Sequence, residues 1–238
     1  MRRDYPRVPG PGRAIITTLL VLAALFVGAD VALRAYVEGR VAGAVQTSLG
    51  LPVRPDLDLH GFPFSLSFFR GRFDEVAVTV SDVEVDGLRL DRVVLRLADV
   101  RFAPREMLTG SAHIRSQGGT GEAEVGEDAL TAFVQDHDAP VEVRLLGPNV
   151  RVSTRVIVGE EETAASATGP LRLEGDTLVF DPQQVDLEGS VGIPAQALAF
   201  AVELPELIPG VRYDDVVVDE GTATLEADLA GARLDLAA

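Results

Sequence analysis

The chain has 238 residues, with 21 basic residues against 37 acidic ones, three His and no cysteine, for a formal net charge of −16. So acidic a body offers a polyphosphate no electrostatic footprint, which excludes nucleic acid as a partner in the absence of a concentrated basic face, and no such face is visible. The lack of Cys excludes a disulfide scaffold, a thiolate zinc site, a Cys nucleophile and a lipid-modified Cys anchor.

At the N-terminus, residues 1–29 hold four Arg (Arg2, Arg3, Arg7, Arg13) against Asp4, a charge of +3, which leaves −19 for the rest of the chain. This positive end precedes Ala14 to Ala29, sixteen residues without a charge. The run is short for the roughly 20 residues of a spanning helix and matches a signal-peptide core in length. Two readings stay open: a signal peptide cleaved after Ala29, or an uncleaved signal anchor. The anchor is favoured because apolar residues resume after Asp30 with Val31, Ala32 and Leu33. Either way the positive-inside rule keeps the Arg cluster cytoplasmic and sends the acidic body across the membrane. The expected division is residues 1–29 as a cytoplasmic basic tip with anchor or signal peptide, and residues 30–238 as one exported domain in the cell envelope.

Val31 to Leu49 reads as an amphipathic helix. Val37, Val41 and Val45 recur at i, i+4 and i+8 beside Ala44, with Arg34, Glu38, Arg40 and Gln46 on the other side. Gly50 and Pro52 stop it. Its polar face has no basic excess, so the apolar stripe is expected to pack on the domain.

Next comes the main compositional anomaly. Five of the ten Phe residues fall between Phe62 and Phe73, in HGFPFSLSFFRGRF. In an extended chain Phe62, Phe64, Leu66 and Phe68 share one face. If Pro63 opens a helical turn instead, Phe64, Phe68 and Phe69 cluster. Both alternatives give a concentrated apolar wall bordered by Arg70 and Arg72. One interpretation makes these rings ordinary core between a sheet and the preceding helix. The other makes Phe62, Phe64, Leu66, Phe68, Phe69 and Phe73 an apolar groove for acyl chains, with Arg70 and Arg72 placed to pair with a lipid phosphate.

From residue 53 onward the pattern has period two. Val76, Val78 and Val80 alternate with small or polar residues, and Val83 and Val85 fall on the opposite parity, which predicts a bulge near Ser81 and Asp82. Alternation continues in Leu88/Leu90, Val93/Leu95/Leu97, Leu171/Leu173, Val185/Leu187, Ala223/Leu225/Ala227/Leu229 and Leu234/Leu236. One apolar and one wet face is the mark of antiparallel sheet. Short helices are expected from Pro104 to Gly110, over Glu127 to Asp136 burying Leu130, Phe133 and Val134, and as a turn from Pro194 to Leu198. The fold class is therefore α+β, dominated by antiparallel strands.

No motif for catalysis is present: no Gly-x-Ser-x-Gly, no phosphate-binding loop, no His-Glu-x-x-His. His60, His113 and His137 have no ligand spacing, and Glu160, Glu161 and Glu162 read as a solvated loop tip. The sequence points to a protein that is not an enzyme and has no metal and no cofactor.

The anchor, the Asp directly after it, the amphipathic helix, Gly61-Phe62-Pro63-Phe64 and Gly71-Arg72-Phe73-Asp74-Glu75-Val76, together with Met107 to Gly110 and Leu204 to Gly210 followed by Val216 to Val218, resemble the actinobacterial phospholipid-binding proteins of the LmeA type. The resemblance runs from about Ala14 to Leu236. It implies a tubular lipid-binding architecture, a long curved antiparallel sheet wrapped around an amphipathic helix behind an N-terminal signal anchor. It further implies phospholipid and membrane as partners, with protein partners unknown, and a role in holding or presenting lipid for cell-envelope lipid or lipoglycan metabolism. The alternative is a non-catalytic structural or interaction domain on the outer face of the membrane.

Overall fold

Anchor and amphipathic segment form a single helix, α1 (Pro11–Leu49), 39 residues long in the computed structural model. Pro11 suits a first helical turn, where its missing N–H has no intrahelical partner to lose. The structure describes residues 11–49, 51–109, 112–137, 139–158, 161–187, 198–205, 211–229 and 233–236. From Ile16 α1 is long and apolar enough to cross a membrane, and Ile16, Leu19, Leu20, Leu22, Leu25 and Phe26 are all exposed. After Asp30 its character changes. Val37, Val41 and Val45 are buried as the spacing predicts, joined by Ala42, while Ala44 is only half-buried.

Polar contacts fix this second half to β1 (Asp56–His60). Arg34 pairs with Glu38 at 2.7 Å and with Asp58. The same Glu38 carboxylate accepts the Leu59 amide hydrogen at 3.1 Å, and Arg54 donates to the Gly39 carbonyl.

A short helix, α2 (Phe64–Arg70), then leads into a long hairpin, β2 (Arg72–Val85) and β3 (Leu88–Arg101). The chain continues through α3 (Pro104–Thr109), β4 (Ala112–Arg115), β5 (Gly118–Gly126) and α4 (Glu127–Asp136). It then runs through β6 (Glu142–Leu145), β7 (Val150–Val158), β8 (Glu161–Gly169), β9 (Leu171–Glu174), β10 (Thr177–Phe180) and β11 (Gln184–Leu187). The last strands are β12 (Phe200–Glu203), β13 (Tyr213–Asp219), β14 (Thr222–Asp228) and β15 (Arg233–Leu236). The main sheet has the order β1-β2-β3-β5-β14-β13, with β4 joined to β3 and β15; smaller sheets run β12-β10-β9 and β11-β8-β7-β6. Every strand pair is antiparallel, so the fold is α+β behind a long apolar helix, as the alternation requires.

The helices at 104–109 and 127–136 occur where expected, and α4 buries Leu130, Phe133 and Val134. Glu127 and Asp128 in its first turn complement the helix dipole, and Glu127 also accepts the Leu145 amide hydrogen at 2.7 Å. Of the turn expected from Pro194 to Leu198, only Leu198 lies within the described residues, and it is buried. The acidic run proves different from a free loop tip in part. Glu161 and Glu162 open β8, paired with Val158 and Ile157, while Glu160 lies outside the described residues.

The change of parity in β2 is real, but its cause is not a one-sided bulge. Pairing passes from Ser81/Arg92 to Val83/Leu90, so both strands skip one residue at the same level and the register is kept. Asp82, in the left-handed region at φ 58°, turns the β2 face there, and β3 turns with it. One hairpin serves two apolar cores. Val76, Val78, Leu95 and Leu97 pack with α1, α2, Phe102, Ile114 and Leu229. Val85, Leu88, Leu90 and Val93 pack with α4, β5, β14 and the smaller sheets.

Candidate functional site

The Phe-rich segment takes the helical alternative. Pro63, at φ −65° and ψ 140°, precedes the first turn of α2, and Gly71 ends it in the left-handed conformation (φ 67°, ψ 34°) with its N–H donated to the Phe68 carbonyl. Only glycine fits that end: a Cβ on Gly71 would lie 2.4 Å from the Phe102 carbonyl oxygen, and the Gly71 carbonyl in turn accepts the Phe102 amide hydrogen at 3.0 Å.

At the other end of α2, two orphan amides need acceptors. Asp30 supplies both, with Oδ2 2.8 Å from the Phe64 nitrogen and Oδ1 2.7 Å from the Ser65 nitrogen. It is the one buried polar or charged side chain among the described residues. A buried carboxylate is costly unless hydrogen-bonded, and here two backbone N–H groups satisfy it. The sequence marks Asp30 by position, as an acid interrupting an apolar run, but not its partners.

The helical turn sorts the predicted residues onto two sides. Phe64, Phe68 and Phe73 are buried and form a ring cluster with Phe102. Phe73 is central, with its ring centroid 5.3 Å from Phe64 and 4.9 Å from Phe102. Such pairs each add about 0.5–1.5 kcal/mol beyond area burial. Phe102, 29 residues beyond Phe73, has no local sequence signal connecting it to this cluster. Phe62, Leu66 and Phe69 face outward and are 84%, 45% and 73% exposed. Leu66 and Phe69, at i and i+3, share one side of α2, while Phe62 precedes the helix, ahead of the extended Pro63.

The two cations at the border also differ. Arg72 pairs with Asp99 at 2.7 Å, and Arg101 approaches the other Asp99 oxygen at 3.4 Å. Arg70 is exposed in the last turn of α2 and has no ion pair or hydrogen bond among the described residues. The three histidines do not converge. His60 lies 3.4 Å from Asp58, His137 bonds the Phe133 carbonyl at 2.8 Å, and the His113 side chain lies outside the described residues.

A second apolar site lies in the other core, where Leu88, Leu130, Leu171, Leu178, Leu204 and Leu225 enclose a cavity of about 10 Å³. That is room for about one water, far too little for an acyl chain without rearrangement.

The family model for LmeA-like phospholipid-binding proteins matches residues 28–228, most of the chain and inclusive of Asp30 and the whole α2 segment. No curated protein and no solved structure matches.

Proposed function

The chain belongs to the LmeA-like phospholipid-binding family, and from that membership we propose that it is an exported, membrane-anchored protein that holds or presents phospholipid for cell-envelope lipid or lipoglycan metabolism, by binding and not by catalysis. The observation that carries this reading is the exposure of Phe62, Leu66 and Phe69 beside the exposed Arg70. An acyl chain of the phospholipid lies against these side chains, and the lipid's headgroup phosphate pairs with Arg70, with Arg72 adjacent. Phe64, Phe68 and Phe73 form the floor that keeps the wall in place.

Localisation follows the charge. Of residues 1–29, the Arg-rich tip stays cytoplasmic and the anchor crosses the membrane, while the acidic remainder, residues 30–238, lies outside as one domain. The apolar residues Val31, Ala32 and Leu33 that follow Asp30 support a retained anchor over a cleaved peptide. Partners on this reading are phospholipid and membrane, and the −19 of the exported part argues against nucleic acid.

The complete burial of Phe64, Phe68 and Phe73 favours a second reading, a structural or interaction domain in which the aromatic segment is plain core. Mass spectrometry of solvent extracts from the detergent-purified full chain separates the two. Stoichiometric phospholipid is expected. Its absence, together with no uptake from added phosphatidylglycerol vesicles, would leave the structural reading standing alone.

A further inference from the structure

Ala14 to Leu33 is twenty residues, interrupted only by Asp30, and twenty helical residues rise about 30 Å, the thickness of a bilayer's hydrocarbon core. A free carboxylate at the seventeenth place of that stretch is expensive in lipid. Asp30 is not free, because both its oxygens are occupied by the Phe64 and Ser65 amides. The same bonds fix where α2 must be. Its first turn is attached to α1 near the C-terminal end of that twenty-residue stretch, ahead of Arg34 and the exposed Tyr36.

We propose that α2 is a membrane foot: the Asp30 latch holds it in the interface of the leaflet through which α1 emerges, with Phe62, Leu66 and Phe69 inserted among the lipids and Arg70 at the level of their phosphates. The inference rests on the retained anchor proposed above. Three features select a lipid surface as the occupant of this face. The exposed side chains of α2 are tied, through the Asp30 bonds to Phe64 and Ser65, to the helix whose preceding half is apolar and exposed. Phe and Leu side chains on a short helical segment next to a cation suit shallow burial at the headgroup/acyl boundary. The charge distribution agrees, since residues 54–115 hold nine Arg against ten acids, whereas residues 150–238 hold five Arg against seventeen acids. Anionic headgroups therefore repel the second region and tolerate the first.

The absence of native cysteine makes the test direct. Full-length Leu66→Cys, Phe69→Cys and Val217→Cys proteins, each carrying one environment-sensitive fluorophore, are reconstituted into phosphatidylcholine/phosphatidylglycerol vesicles containing shallow spin-labelled lipid. All three positions are exposed in the domain. Labels at 66 and 69 are expected to be quenched several-fold more than the label on the far edge strand at 217. Equal quenching at the three positions overturns the foot. Phospholipid retained by the unlabelled full chain through detergent purification keeps the two proposals apart. Retained lipid with equal quenching removes the foot alone, and selective quenching without retained lipid supports the foot while removing the lipid-holding function.

Discussion

Asp30 and Phe64 are 34 residues apart in sequence, and Oδ2 of Asp30 accepts the Phe64 amide hydrogen at 2.8 Å. This bond and its Ser65 counterpart join the long N-terminal helix to the aromatic segment. Asp30→Ala leaves two amides of the first turn of α2 without their acceptor and is expected to cost about 2 kcal/mol, whereas Asp30→Asn keeps one acceptor and costs about 1 kcal/mol. Thermal unfolding of the full chain in detergent checks the order. If Ala were as mild as an ordinary surface change, the latch would have no energetic role.

Phe68 and Phe69 are neighbours with opposite surroundings, 1% and 73% exposed. Phe68→Ala is expected to destabilise by about 3–5 kcal/mol. Phe69 keeps an edge-to-face contact with Phe68, ring centroids 5.7 Å apart, so Phe69→Ser should cost about 0.5–1.5 kcal/mol, well below Phe68→Ala, while lowering the phospholipid that co-purifies. Denaturant midpoints together with lipid counts per chain give the comparison. A Phe69→Ser protein with full lipid content would remove this residue from the binding wall.

Gly71 is left-handed and faces the Phe102 carbonyl at close range. Gly71→Ala combines a positive φ for an L-residue with a steric clash against backbone, an expected loss of about 2 kcal/mol or more. Chemical denaturation measures it; an unchanged midpoint would mean that α2 can end in another way.

Leu178 lines the small cavity of the second core. Leu178→Ala enlarges that cavity and is expected to cost about 2–5 kcal/mol, with lipid retention at the α2 end unaltered. Phospholipid retention that rises with the enlarged cavity would transfer the binding site to this core.

Much of this architecture is legible in the sequence, because alternation and helical spacing are local. Leu130, Phe133 and Val134 mark the buried face of α4, and Pro104 marks the start of α3. The aromatic segment is legible as a concentration of apolar surface, yet its sides are not. Pro63 is compatible with both an extended and a helical continuation, and only the second hides Phe64 and Phe68 while exposing Phe62, Leu66 and Phe69. Contacts that cross long stretches of chain leave no periodic trace. Asp30 on Phe64 and Phe102 on Phe73 are of that kind. The matched turn of both strands at Asp82 is half visible, since parity within β2 reports the flip, but only pairing with β3 shows that the register survives. In β8, Ala164, Ala165 and Ala167 give little strand signal of their own, and pairing with β7 and β11 decides their conformation.

The length of the first hairpin sets a division of labour by height. β2 starts at Arg72, immediately after α2 and Gly71, and its fourteen residues extend about 45 Å at 3.3 Å per residue. One leaflet of hydrocarbon is only about 15 Å deep. With α2 at the bilayer and the hairpin standing along the bilayer normal, a phospholipid still seated in the leaflet meets the near end of the domain and nothing beyond it. The leucine-lined core at the far turn is within reach only of a lipid that has left the membrane altogether.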